Sequence, residues 1–417
     1  MKYQVMGKAT PSVQKNINTS LVYHYVFDHS PCYRAMIAKD LNLSAPAVSR
    51  AVEILIERGD IIESNRVQLE NGKKVVLLEL NNHKGYVVGI DLLRNPMKMI
   101  ITDYCGEILK KWTGFSLDRQ TDISSDLLEE VDNMLKSFKR DLISKKINGY
   151  TNESEIRGKI KAIGIGVPAA IDKMTGEVLS AQRYDYMLGK RYGEVLHQAL
   201  NITAFVENVT NMSAFAERKL GVSRGIDNSV FIELSSGVGL GIFINGQLYS
   251  GASGTAGEIG YTPLTLEQIH RPVETLGYFE QVMSMEGISN QVKKARLADA
   301  HTTPTESIER LFTLAHGNNQ IAVNICTQIV NNLVVLCSNV ILMLNPEQVI
   351  VGGTIAEMPY VQDLLVSPLC QNLQQIIPFQ LPQIILSSLG NNSGVIGAVS
   401  MAIEQLKIAH YPYRFEE

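Results

Sequence analysis

The 417-residue chain is poor in cysteine. Cys32, Cys105, Cys326, Cys337 and Cys370 are scattered, and no two form a Cys-x-x-Cys pair. That scarcity excludes a disulfide framework and a cysteine-built zinc cluster, and it suits a reducing cytoplasm. Charge of one sign is lacking too, with 38 Lys+Arg against 42 Asp+Glu and a formal net charge of -4. The bulk charge therefore gives no global sign of a polyanion binder, and any contact with DNA has to come from a local patch. The longest apolar run, LVVLCSNVILML at 333–344, is shorter than the roughly 20 residues that span a bilayer and is broken by Ser338 and Asn339; it reads as a buried helix. At Met1, MKYQVMGKATPSVQKN is polar throughout, so no secretory signal is expected. What is present, 45% hydrophobic and 19% charged residues, describes a soluble globular protein long enough for two or three domains.

The first 85 residues carry 11 Lys+Arg against 8 Asp+Glu, and the remainder 27 against 34, which separates a weakly basic head from an acidic body. From Asn16, INTSLVYHYVFDH places Ile17, Leu21, Val22 or Tyr25, and Val26 at helical spacing and predicts an amphipathic first helix. A short helix follows over Arg34 to Asp40, then a turn at Leu41-Asn42-Leu43. Ser44 is placed to cap a longer helix from Ala45 to about Arg58, closed by Gly59. Ala35, Ile37, Ala38, Leu43, Val48, Val52 and Leu55 are expected to share one core. Two helices joined by a short turn are a helix-turn-helix. Pro46, Ala47, Ser49 and Arg50 then face solvent at the start of the second helix, where a recognition helix meets base edges, with Arg34 and Ser44 beside them. Two alternating strands flank Glu70-Asn71-Gly72-Lys73, a strong hairpin signal. A helix-turn-helix followed by a hairpin is a winged helix, with Arg66, Lys73 and Lys74 on the wing for phosphates. Winged helices also bind proteins, but the capped turn, small exposed face and basic wing agree on double-stranded DNA.

After the polar linker NNHKG at 81–85, a strand meander, a helix over 122–144 and the strand IKAIGIGVPAAID open an α/β body. A second round begins at SVFIELSSGVGLGIFINGQLYSGASGTAGEIG. Between the rounds, FVENVTNMSAFAE (205–217) runs from a strand end through a polar corner into a helix, with Val209 at that corner. Two such halves resemble the duplicated ribonuclease-H-like fold of actin and the sugar kinases. GIGVPAAID (164–172), VENVTN (206–211), SSGVGLGIFINGQLYSGASGTAGEIG (235–260), NPEQVIVGGT (345–354) and LGNNSGVIGA (389–398) stand in the order found in the ROK family of repressors and sugar kinases. The chain resembles that family from Asn16 to about Ile403. The fold this implies is α/β, with a winged helix-turn-helix at 1–82 and a two-lobed ROK body at 83–417.

Several departures follow from the resemblance. In the family's kinases the corner at Glu207-Asn208-Val209 reads Glu-Asn-Asp, and the aspartate is the general base that takes the sugar hydroxyl's proton. Val209 accepts no proton, so no catalytic residue is expected. The first phosphate loop, Asp-x-Gly-Gly-Thr in the kinases, is Asp91-Leu92-Leu93-Arg94-Asn95 and has lost its glycines. The second, Ser235-Ser236-Gly237-Val238-Gly239-Leu240-Gly241, is kept and is either a phosphate nest or a hairpin turn. The family's zinc ligands, one histidine and three cysteines, correspond to Tyr261, Arg271, Val273 and Tyr278, so neither metal nor cofactor is expected; His270 stands alone. Of the sugar-binding groups, Asn208, Glu258 and Glu280 remain, although both glutamates would also serve as helix-start caps. Arg183, in the loop Arg183-Tyr184-Asp185-Tyr186-Met187, suits an anionic group such as a phosphate. The resemblance thus implies a cytoplasmic, sugar- or sugar-phosphate-responsive DNA-binding regulator, a homodimer or tetramer with no membrane association, whose cleft signals to the head through the 81–85 linker. An active sugar kinase with an accessory head and a ligand-independent scaffold are the alternatives.

Overall fold

The computed structural model describes residues 10–70, 72–116, 122–145, 150, 152, 156, 158–181, 184–270 and 276–412. Thr10 caps α1 (Pro11–His29) by accepting from the Val13 amide at 3.4 Å, and Pro11 presets the first turn. α2 (Arg34–Asp40) ends in a turn with Asn42 at φ 51°. Ser44 then accepts from the Ala47 amide to cap α3 (Ala45–Glu57), and Gly59, at φ 69°, closes it. β1 (Ile61–Gln68) and β2 (Lys74–Leu80) form the antiparallel wing; Asn71 of the predicted turn lies outside the described residues. Ile37, Val48, Val52 and Leu55 pack with Val22 and Leu78 into one core. Ala35, expected in that core, is exposed, and Met36 packs there instead.

α1 is not simply amphipathic: every residue from Thr19 to Val26 is buried. Part of the cover comes from α3 and part from the far end of the chain. The Tyr411 ring stacks on Tyr23 at 4.1 Å, His24 Nε2 donates to the Tyr411 carbonyl at 2.7 Å, and the Tyr411 hydroxyl donates to the Asp60 carboxylate. The 81–85 segment is likewise no loose tether. Asn82–Lys84 forms a 3-10 turn, and Lys84 pairs with Asp60 while its ammonium lies 4.5 Å from the Tyr104 ring centre.

The body contains two sheets of matching design. β3 (Tyr86–Asp91), β4 (Lys98–Asp103) and β5 (Ile108–Thr113) form an antiparallel meander. α4 (Ser124–Ser144) leads to β6 (Ile160–Val167), which pairs parallel to β3. The short strands β7 (Ala170–Ile171) and β8 (Val178–Ser180) and helix α5 (Tyr192–Leu200) precede β9 (Thr203–Asn208), parallel to β6. α6 (Val209–Leu220) crosses to the second sheet, where β10 (Ser229–Leu234), β11 (Val238–Ile244) and β12 (Gln247–Leu248) repeat the meander. Four helices follow: α7 (Tyr278–Met283), α8 (Met285–Lys294), α9 (Pro304–His316) and α10 (Gln320–Leu344). β13 (Gln348–Gly352), helix α11 (Ser367–Ile376) and β14 (Gln383–Leu386) complete the lobe, and α12 (Ser393–His410) returns to the first sheet. The strand orders, β5-β4-β3-β6-β9 and β12-β11-β10-β13-β14, are equivalent, as a duplicated fold requires.

The apolar run at 333–344 is the second half of α10, which has 25 residues and, among the described residues, is the one helix long and apolar enough to cross a membrane. Its buried residues, among them Ala322, Ile325, Cys326, Ile329 and Leu333, recur at helical spacing and enter the core of the second lobe.

α12 lies across β3, β6 and α6. The fit is close because glycines remove side chains at the crossings: a Cβ on Gly164 would stand 2.0 Å from the Ala398 carbonyl oxygen, and one on Gly397 would stand 1.9 Å from that of Met212. Gly164→Ala is accordingly expected to destabilise the body by about 1–3 kcal/mol through overpacking. A urea midpoint equal to that of the wild type would contradict this packing.

Candidate functional site

Asp91 ends β3 in the first lobe and Glu233 lies near the end of β10 in the second. Between them sits Arg94. Its Nη1 donates to Glu233 Oε1 at 3.0 Å and its Nε lies 3.6 Å from Asp91 Oδ2, with all three side chains at most 6% exposed. Asp91 Oδ1 accepts from the Leu93 amide at 2.9 Å, which folds the 91–95 loop back on itself. Burial raises the Asp91 pKa; Arg94 opposes this and Glu233 reinforces it. Burial alone would lower the Arg94 pKa, but Glu233 and Asp91 outweigh it, so the guanidinium stays charged. In place of the glycines of a phosphate loop, the chain puts its own cation between the lobes. Sequence reasoning read 91–95 only as a loss of glycines. The signals that would have found the pair were the Asp91/Arg94 spacing and a glutamate in the otherwise apolar strand SVFIEL.

Beside this triad the lobes enclose a cavity lined by Tyr184, Asn208, Val209, Thr210, Glu258 and Glu280. Three of the four sequence-selected ligand residues are thus brought together; Arg183 lies outside the described residues. Asn208 is committed to structure, since its Oδ1 caps α6 through the Thr210 amide at 2.8 Å and its Nδ2 donates to the Ala169 carbonyl at 3.0 Å. Val209, 1% exposed, is the first residue of α6. It packs where a Cβ on Gly394 would come within 2.8 Å of its Cγ2 and 2.2 Å of Asp91 Oδ2. The valine at the polar corner is therefore a packing residue on the cavity wall. Glu280, in the first turn of α7, is 4% exposed, and burial pushes the Glu258 carboxyl above its ordinary range.

The retained glycine loop is a hairpin turn: Leu234 pairs with Val238, and the Ser235 amide donates to the Gly237 carbonyl at 3.0 Å. Its later glycines, Gly239 and Gly241, let β11 approach Thr210 and Ala214 of α6. Of the positions corresponding to zinc ligands, the Tyr261 hydroxyl reaches Ser180 Oγ at 3.4 Å, Tyr278 starts α7, and Arg271 and Val273 lie outside the described residues. His270 is exposed, and among the described residues no cluster of three His, Cys, Asp or Glu side chains is arranged to hold a metal ion.

In the head, Ser44, Pro46 and Arg50 are exposed, and Arg66, Lys73 and Lys74 are exposed on the wing. Ala47 and Ser49 were expected to face solvent but are half-buried; Ala47 and Arg50 border a groove shared with Lys15 and Asn18 of α1. Arg34 is paired with Glu63 at 2.8 Å, so its charge is partly spent within the head.

Residues 87–405 match the ROK family. The chain belongs to the ROK family. It is 26% identical over 408 residues to the xylose repressor of Bacillus subtilis, covering 96% of this chain and 98% of that protein. It is 27% identical over 334 residues to a glucokinase of Halalkalibacterium halodurans, covering 75% of this chain and 93% of that one. The crystal structure of a ROK family transcriptional regulator, a homologue of the Escherichia coli MLC protein, superposes with a TM-score of 0.74 at 22% identity, over 95% of this chain and 99% of that one. The likeness to that regulator's fold thus spans head and body together, whereas the family match covers the body.

The raised Glu258 carboxyl carries a pH signature. A carboxyl whose folded pKa exceeds its unfolded value stabilises the fold fully below the unfolded value, about 4.3, and loses that contribution as pH rises through the folded pKa. Glu258→Gln, which cannot ionise, should therefore gain stability relative to the wild type as pH rises from about 4 towards 7. Parallel stability–pH curves for the two proteins would contradict the burial assigned to this carboxylate.

Proposed function

We propose that this ROK protein is a sugar-responsive, DNA-binding transcriptional repressor of the cytoplasm, with a winged head at 1–82 and a sensor body at 83–417 that no longer transfers phosphate. The observation that carries the reading is the match to a repressor along 96% of the chain, head included, against 75% for a glucokinase. In the head, Ser44, Pro46 and Arg50 face the major groove, while Arg34, Arg66, Lys73 and Lys74 meet phosphates. In the body, Glu258 and Glu280 accept hydrogen bonds from sugar hydroxyls, Asn208 holds the α6 corner in place for them, and Arg183 reaches any phosphate the effector carries. Val209 supplies no base, and Arg94, held by Asp91 and Glu233, occupies the loop that a nucleotide phosphate would need. A homodimer or tetramer places two heads on a pseudo-palindromic operator. The effector shifts DNA affinity only by the difference in its affinity for the two states of the body.

The test starts with an operator selected from random duplex DNA by the full-length protein. Wild type should bind the selected duplex with strong salt dependence, Arg50→Ala should bind at least about tenfold more weakly, and no ADP should form with D-xylose, D-glucose or N-acetyl-D-glucosamine. Sugar-dependent ADP production would favour an active kinase carrying an accessory head. Failure of the selection to enrich any sequence would remove the regulator reading.

A further inference from the structure

We infer that α12, ending in Tyr411, carries the state of the interlobe cleft to the C-terminal end of α3. At one end of this helix, Gly394 abuts Asp91 and Val209, so the first turn of α12 touches both the Arg94 triad and the cavity wall. Along its length the Gly397–Met212 and Gly164–Ala398 crossings leave no space for a Cβ. α12 is thereby bound both to the first sheet and to α6, a helix that also starts at the cavity. With 18 residues it spans about 27 Å.

At its other end the helix enters the head. Lys407 Nζ stands 3.5 Å from Asp28 Oδ1 and 4.1 Å from the centre of the Phe27 ring. Tyr411 then stacks on Tyr23 and donates to Asp60. Asp60, 3% exposed, directly follows the cap of α3, and its amide donates to the Leu55 carbonyl at 2.8 Å. The same carboxylate pairs with Lys84 of the 81–85 turn. The covalent linker and the C-terminal tail of the body therefore converge on one buried carboxylate at the end of α3. Tyr411 is a positioning residue: it touches neither the cavity nor the exposed face of α3, yet it joins the element that borders the first to the element that carries the second.

The inference rests on the proposed sensor role of the cleft, but its test needs neither sugar nor operator. Backbone hydrogen exchange is measured on the full-length wild type, Glu233→Gln, Tyr411→Phe and the double variant; Thr210→Val, on the cavity wall, replaces Glu233→Gln as the cleft change should that variant fail to fold. Glu233→Gln should speed exchange at Arg58, Gly59 and Asp60 by at least about threefold when Tyr411 is present. In the Tyr411→Phe background the same change should stay within about twofold, the limit expected of independent distant sites. Exchange at Leu93, in the cleft, should rise equally in both backgrounds, which a merely structural role for Tyr411 would also allow. Additive effects at 58–60, or no effect of the cleft change there, would overturn the inference. A separate thermal-shift measurement with D-xylose tests the sensor reading: no shift would sink that reading while leaving the coupling result intact.

Discussion

A guanidinium buried between two carboxylates from different lobes is the constraint around which the body is arranged. Removing such a group from water is costly, and the cost is offset only when the counter-charges are held in place by the fold. Here Asp91 is held by β3 and the Leu93 amide, and Glu233 by β10. The two sheets must therefore meet with the ends of β3 and β10 facing each other, as the equivalent topology of the two halves arranges. The same contact fills the 91–95 loop with the chain's own cation. Val209 packs beside this contact as a buried methyl group on the cavity wall.

The second constraint is close helix packing through glycine. Gly164 and Gly397 let α12 approach β6 and α6 more closely than side chains would permit. Because α12 begins beside Asp91 and ends inside the head, its position cannot be set independently of either. The head is thus seated on the body by Tyr411, Lys407 and Lys84 as well as by its covalent link.

Much of this was legible in the chain. The capped turn before α3, the wing and the repeated strand meanders all rest on local patterns, and local patterns survive the passage to structure. What escaped were contacts between residues far apart in sequence. Nothing near Asp60 announces that its partner is Tyr411, and the Asp91/Arg94 spacing and the lone glutamate of SVFIEL are hints that local reading does not join. The half-burial of Ala47 escaped for the same reason, since α1 borders the start of α3 there. Asn208 shows a further limit: its residue type suits a sugar hydroxyl, yet both ends of its amide serve the α6 cap and the Ala169 carbonyl.

The central claim, that Arg94 joins the lobes by neutralising Glu233 and Asp91, is tested most directly by calorimetric melting of four proteins: wild type, Arg94→Met, Glu233→Gln and the double variant. Stranding two buried carboxylates should make Arg94→Met the least stable, with a loss of about 3–5 kcal/mol. Adding Glu233→Gln should then restore part of that loss, so that the double variant melts above Arg94→Met alone. If the two substitutions simply add, or if Arg94→Met melts with the wild type, the guanidinium is not what holds the lobes together.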